Sequence, residues 1–203
     1  MAEKKATVTF DAIMRDLKSG KYAPVYILMG DESYYIDRIT DYIAENVLDP
    51  DDRDFNQTVV FGADTTAAQV VDMAKGYPVM PAAHRVVIVK EAQGLKSLDA
   101  LERYFEKPLA STLLVIAYKN GTIDRRKKVV GKAEAVGVVF ESKKKRDYEL
   151  PAFIETYLKK NHVAIDPKSA AMIGEHIGAD LSRLISELDK VMISLPDDNR
   201  RVT

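Results

Sequence analysis

Apolar residues are spaced in two rhythms that alternate along most of this chain. Phe10, Ile13, Met14 and Leu17 fall at i, i+3, i+4 and i+7, the period of a helix with one buried face. Thr9 is placed to cap that helix and Gly20 to stop it. Val25-Tyr26-Ile27-Leu28-Met29 then runs apolar without a break, as a strand buried on both faces does. Ile36, Ile39, Ile43 and Val47 mark a second helix that ends near Leu48-Asp49-Pro50. Phe55, Val59, Val60 and Phe61 predict a second strand, and Thr65-Thr66 the start of a third helix with Val70, Val71, Met73 and Ala74 inward. A strand at Val86-Val87-Ile88-Val89 and a helix after Ser97 carrying Leu98, Leu101 and Phe105 come next. Leu113-Leu114-Val115-Ile116-Ala117 is a further buried strand, Asp124 opens a basic helix over 124–135, and Val138-Val139-Phe140 is the last strand.

No two of these five strands are joined by a short hairpin signal. The pattern therefore predicts an α/β fold over residues 1–142, a five-stranded parallel sheet with helices on both faces. After Phe140 the rhythm changes. Lys143-Lys144-Lys145-Arg146 is a solvated charge run suited to a linker, and from Tyr148 only helical periodicity remains. Leu150, Phe153, Ile154, Tyr157 and Leu158 form one stripe. Asp166-Pro167 is a specific helix start, succeeded by Met172, Ile173, His176 and Ile177 and a stop at Gly178. Asp180 caps a third helix bearing Leu181, Leu184, Ile185, Leu188, Val191 and Met192. Residues 143–203 are thus expected to form a small three-helix domain.

Composition narrows the class. The formal net charge of −1 over 203 residues argues for neither nucleic acid nor membrane as a global partner. The absence of cysteine excludes disulfides and thiol catalysis and fits a reducing compartment. No apolar run approaches the roughly 18 residues that span a bilayer, and the first residues do not read as a secretory signal. A cytoplasmic protein is expected. The closing stretch, Leu195 to Thr203, reads as a turn leading into a new apolar segment, as in the front piece of a longer protein.

The first strand runs into Gly30, the usual lead-in to a phosphate-binding turn, but the next residues are Asp31-Glu32-Ser33-Tyr34-Tyr35-Ile36-Asp37. No lysine is placed to reach a phosphate and no Ser/Thr comes after one to hold Mg²⁺. Strand 86–89 ends in Lys90-Glu91, where a Walker B strand would end in Asp-Glu, and a lysine there repels a metal ion. His84, His162 and His176 lack metal-ligand spacing, and His176 is expected to be partly buried beside Met172 and Ile173. Asp31, Glu32, Asp49, Asp51 and Asp52 read as cap and turn residues. No catalytic residue, cofactor or metal site is expected.

Three segments carry a resemblance. They are Pro24-Val25-Tyr26-Ile27-Leu28-Met29-Gly30-Asp31-Glu32-Ser33-Tyr34-Tyr35-Ile36, then Gly76-Tyr77-Pro78-Val79-Met80 ahead of Arg85-Val86-Val87-Ile88-Val89-Lys90, and Gly178-Ala179-Asp180-Leu181-Ser182-Arg183-Leu184-Ile185-Ser186-Glu187-Leu188. In order and spacing the chain resembles the N-terminal part of the delta subunit of the bacterial DNA polymerase III clamp loader. The resemblance implies an AAA+-like α/β domain over 1–142 without functional Walker motifs and a helical lid over 143–203, with the family's C-terminal collar domain absent. It implies a subunit of a nucleotidyltransferase holoenzyme in DNA replication that hydrolyses no ATP itself. The implied partners are the sliding clamp (beta subunit), the ATPase gamma/tau and delta-prime subunits, and primed DNA within the assembly.

In this family delta opens the ring-shaped clamp with a small apolar wedge in the loop between the third helix and third strand, here residues 76–85. The matching pair is Val79 and Met80, with Tyr77 and Pro78 beside it, where the family more often carries larger pairs such as Leu-Phe. The loop's own chemistry agrees: Pro78 and Pro81 restrict the backbone around the pair, and Met adapts to an irregular pocket. Two other readings stand beside this one. One is a degenerate P-loop or AAA+ NTPase switch. The other is a DNA-binding module using Arg125, Arg126, Lys127 and Lys128, a cluster whose acidic neighbours Asp124, Glu134 and Glu141 favour a solvated helix face instead.

Overall fold

The computed structural model describes residues 8–196 and 200–202. The chain divides into two compact units, Met1–Ser142 and Lys143–Thr203.

In the first unit, five strands form one parallel sheet: β1 (Val25–Gly30), β2 (Gln57–Phe61), β3 (Arg85–Lys90), β4 (Thr112–Lys119) and β5 (Val138–Ser142), in the order β2-β3-β4-β1-β5. Parallel strands lie inside a domain with both faces covered, which is why their sequences run apolar without alternation. Successive residues nevertheless part company. Ile27, Met29, Val87, Val89, Leu114 and Ile116 pack on one face against α4 (Ala67–Ala74), α5 (Glu102–Glu106) and α6 (Lys128–Val136). Tyr26, Leu28, Val86, Ile88, Leu113 and Val115 pack on the other against α1 (Phe10–Lys18) and α2 (Ser33–Asn46). The caps obey local chemistry. Thr9 Oγ1 accepts the Ala12 N–H, and Thr66 with Gln69 closes a capping box on α4.

Three local expectations are corrected. Phe55 lies outside the second strand, in the short helix α3 (Arg53–Asn56), and is 69% exposed. The turn begun at Pro50 carries on helically through Asn56, so extended backbone starts only at Gln57. Asp124 does not open the basic helix. Its carboxylate accepts the Arg126 N–H at 2.9 Å and its carbonyl accepts the Lys127 N–H at 3.0 Å, which closes a turn and delays α6 to Lys128. The helix expected after Ser97 begins as a 3₁₀ turn over Leu98–Leu101, and only Glu102–Glu106, α5, is α-helical.

The second unit contains α7 (Leu150–Lys160), α8 (Pro167–Ile177) and α9 (Leu181–Ser194). Asp166 caps α8 by accepting the Lys168 and Ser169 N–H groups, and Asp180 caps α9 through the Arg183 N–H. Between α7 and α8 a two-residue strand, β6 (Ala164–Ile165), pairs in parallel with β7 (Arg201–Val202), so the region is not purely helical. His176 and Met172 are exposed; the buried side of α8 is Ala170 and Gly174. A Cβ on Gly174 would meet Leu150 Cβ at 3.1 Å. Small residues let α8 approach α7 closely, and that approach, not side-chain size, selects the inner face.

Candidate functional site

In an open parallel sheet the usual ligand crevice lies outside the carboxyl ends of the strands. Here that edge is filled by the chain itself. Gly30 ends β1 at φ +133°, and a Cβ there would lie 1.9 Å from the Ser142 carbonyl oxygen at the end of β5. Its N–H donates to the Gly121 carbonyl at 2.8 Å. The glycine therefore answers a crowding of backbones rather than a phosphate. Only Asp31 and Glu32 separate β1 from α2. The Glu32 carboxylate, on a residue only 5% exposed, accepts the Tyr34 N–H at 3.1 Å, so the helix start is capped from within.

Cations and carboxylates cross the same edge in pairs. Lys119, ending β4, bridges Asp37 of α2 at 2.6 Å and Glu91 at 3.5 Å. Burial alone would depress the Lys119 pKa; its hydrogen bond to Asp37 and the charges of Asp37 and Glu91 outweigh that and leave it raised. Lys90 lies 3.8 Å from Asp41. Glu91 adopts a left-handed conformation, φ 50°, which turns the chain away from the strand end.

The loop between α4 and β3 lies at the opposite, amino edge of the sheet, because β3 begins there. Its apolar side chains face outward: Tyr77 is 75% exposed, Val79 51% and Met80 83%. Its backbone does not float. The Asn56 carboxamide, on a residue 1% exposed, accepts the Val79 N–H at 2.6 Å and donates to the Val79 carbonyl at 3.1 Å. That carbonyl also accepts the Ala82 N–H at 3.2 Å. Pro78 and Pro81 flank the pair, the Met80–Pro81 peptide being cis. Asn56 and the loop meet because β2 and β3 are parallel neighbours, so the residues entering both strands share one edge.

The basic residues sit among acids. Arg125 bonds Glu134 and Glu141, each at 3.0 Å; Arg126 bonds Asp124 at 2.7 Å; Lys127 bonds Asp99 at 3.0 Å. Lys132 lies between Glu102 and Glu106, 2.6 Å from each. Lys128 is exposed, with no carboxylate partner among the described residues. The Arg126 hydrogen bonds pull the Asp124 pKa down to about 2. A groove of about 600 Å³ lies between β2 and α4, lined by Val59, Phe61, Asp64 and Met73 among others. No group of His, Asp and Glu side chains among the described residues is arranged to hold a metal ion. No helix among them is long and apolar enough to cross a membrane.

The family model for the delta subunit of DNA polymerase III matches residues 26–143, more than half of the chain. The chain belongs to the DNA polymerase III delta subunit family. It is 26% identical over 200 residues to the DNA polymerase III subunit delta of Bacillus subtilis (strain 168), covering 94% of this chain and 57% of that protein. The solved Bacillus subtilis DNA clamp loader delta protein (YqeN) superposes with a TM-score of 0.76 at 26% identity, over 96% of this chain and 60% of that one. The chain thus spans less than two thirds of the length of these relatives, and its α/β fold is that of the clamp-loader delta structure.

Within this family frame, Tyr77, Pro78, Val79 and Met80 lie together on one loop, and Arg125, Arg126, Lys127 and Lys128 on one turn and helix start. Sequence reasoning missed Asn56. Its only local signal is an amide between Phe55 and the strand 57–61, and the residue it holds is far along the chain. It also missed Lys119, which reads as the polar end of an apolar strand until α2 brings Asp37 beside it.

Proposed function

We propose that this chain is the clamp-contacting portion of a clamp-loader delta subunit, which binds the DNA polymerase sliding clamp and favours its open ring without hydrolysing ATP itself. The observation that carries the reading is the outward placement of Val79 and Met80 on a loop whose backbone is held from inside. Burying a Val or Met side chain against a partner is worth about 1.5–3 kcal/mol each, enough to anchor an interface. Opening results if the loop prefers the strained or open clamp interface, since a ligand shifts an equilibrium only by its difference in affinity for the two states.

The carboxyl edge supports a non-hydrolysing role: Gly30 packs against the Ser142 backbone, and the Glu32 carboxylate caps the start of α2. On this reading the unit over 143–203 serves as the lid, and gamma/tau and delta-prime subunits supply the ATP chemistry in the cytoplasm. The pairing of Arg125, Arg126 and Lys127 with carboxylates weighs against an autonomous DNA-binding module. Contact with primed DNA is expected only inside the assembled loader.

Calorimetric titration with the sliding clamp of the same organism tests the proposal. Binding that is sharply weakened but still measurable in Val79→Ala/Met80→Ala is the expected result, alongside no measurable binding of an ATP analogue. Clamp binding that survives the double substitution moves the site elsewhere. Strong, steeply salt-dependent binding of the isolated chain to DNA instead points to the basic cluster.

A further inference from the structure

We infer that Asn56 is the positioning residue of the clamp-contact loop, an inference that rests on the reading of Val79 and Met80 as the contact. Its side chain is buried, and both of its polar ends bond one residue, Val79. A carboxamide carries one acceptor and one donor side by side, so it pairs with the N–H and C=O of a single residue much as a neighbouring strand does. Its orientation is set by chemistry: the Val79 N–H can only donate, so Oδ1 faces it and Nδ2 faces the carbonyl.

The consequence is a division within one residue. The backbone of Val79 is tied inward while its side chain remains half exposed and Met80 projects beyond it. An exposed apolar loop left to water samples many shapes and loses that freedom when it binds. Fastening its centre to the amino edge of the sheet removes part of the loss beforehand. Asn56 touches no partner on this account; it acts through Val79.

Two substitutions separate positioning from general support. Asn56→Ala removes both bonds. Asn56→Asp keeps the shape and an acceptor for the Val79 N–H but sets a carboxylate oxygen against the Val79 carbonyl. Each is expected to weaken clamp affinity about tenfold, the scale of one to two lost hydrogen bonds, and to speed hydrogen exchange at the Val79 amide. The deciding readout is the same change made in Val79→Ala/Met80→Ala, where Asn56→Ala should alter the residual affinity less than about twofold if it acts only through the loop.

An equal loss in both backgrounds makes Asn56 a general structural residue and overturns the inference. So does unchanged affinity of Asn56→Asp with a folded chain, or fast exchange of the Val79 amide in the unmodified protein. If the unmodified chain does not bind the clamp, or binds it independently of Val79 and Met80, the proposed function itself fails and takes the inference with it.

Discussion

Lys119 and Asp37 close the carboxyl end of the sheet, Nζ to Oδ1 at 2.6 Å, with Glu91 on the other side of the ammonium at 3.5 Å. The lysine side chain is 19% exposed, so the pair is screened less than an ordinary surface bridge. It stands where an open α/β sheet would otherwise present a ligand crevice, and it joins α2 to the ends of β3 and β4.

Removing that lysine leaves Asp37 and Glu91 without the cation they share. Lys119→Ala is expected to lower stability by about 1 kcal/mol near neutral pH. Because the folded pKa is raised above 10.5, the contribution is complete below that value and fades as pH rises through the folded pKa. Urea midpoints of the two proteins should therefore differ near pH 7 and converge in strong alkali. A constant gap across that range would separate the effect from the lysine's charge.

Gly30→Ala tests whether the glycine serves packing. The new Cβ would fall 1.9 Å from the Ser142 carbonyl, and the φ of +133° is itself closed to alanine. The expected cost is about 3 kcal/mol or more, seen as a large drop in the denaturation midpoint. A change below about 0.5 kcal/mol, the range of an ordinary surface substitution, would refute the crowding argument.

Met80 is 83% exposed, so stability and binding should come apart when it is shortened. Met80→Ala is expected to move the folding free energy by no more than about 0.5 kcal/mol. Clamp affinity should fall about tenfold or more, the equivalent of burying that side chain. Parallel thermal melts and calorimetry on the same preparations read both quantities.

Asp124 offers a pH probe of the basic cluster. With Arg126 bonded to it, its carboxyl should titrate at about 2, below the ordinary 3.8. A depressed acid stabilises the fold above its ordinary pKa and ceases to do so as pH falls through the folded one. Arg126→Ala should return the midpoint toward the ordinary carboxylate range in a carboxyl NMR titration. An unmoved midpoint would mean that Arg126 is free to meet other anions.

Much of this architecture was legible in the residue pattern. The uninterrupted runs at 25–29, 86–89 and 113–117 could be satisfied only inside a two-sided sheet, and the caps Thr9, Thr66, Asp166 and Asp180 declared their helices locally. Errors arose where a distant partner outvoted local pattern. The inner face of α8 is set by Gly174 because α7 comes close there, although Met172 is the greasier residue. Phe55 resembles a strand residue by composition but belongs to the helical turn before β2. The strand β6 has too few residues to show a period of its own.

The sequence by itself determined the alternation of strands and helices, the missing phosphate-loop residues and the apolar pair Val79 and Met80, because each depends on residues close together in the chain. Strand order, the close approach of Ser142 to Gly30, the bridge from Lys119 to Asp37 and the grip of Asn56 on Val79 were decided by tertiary structure alone. Each of these joins atoms from separate elements, and a hydrogen bond or steric contact acts over a few ångströms of space whatever the distance along the chain. Local pattern sets which segments are buried; only packing sets which of their polar groups meet.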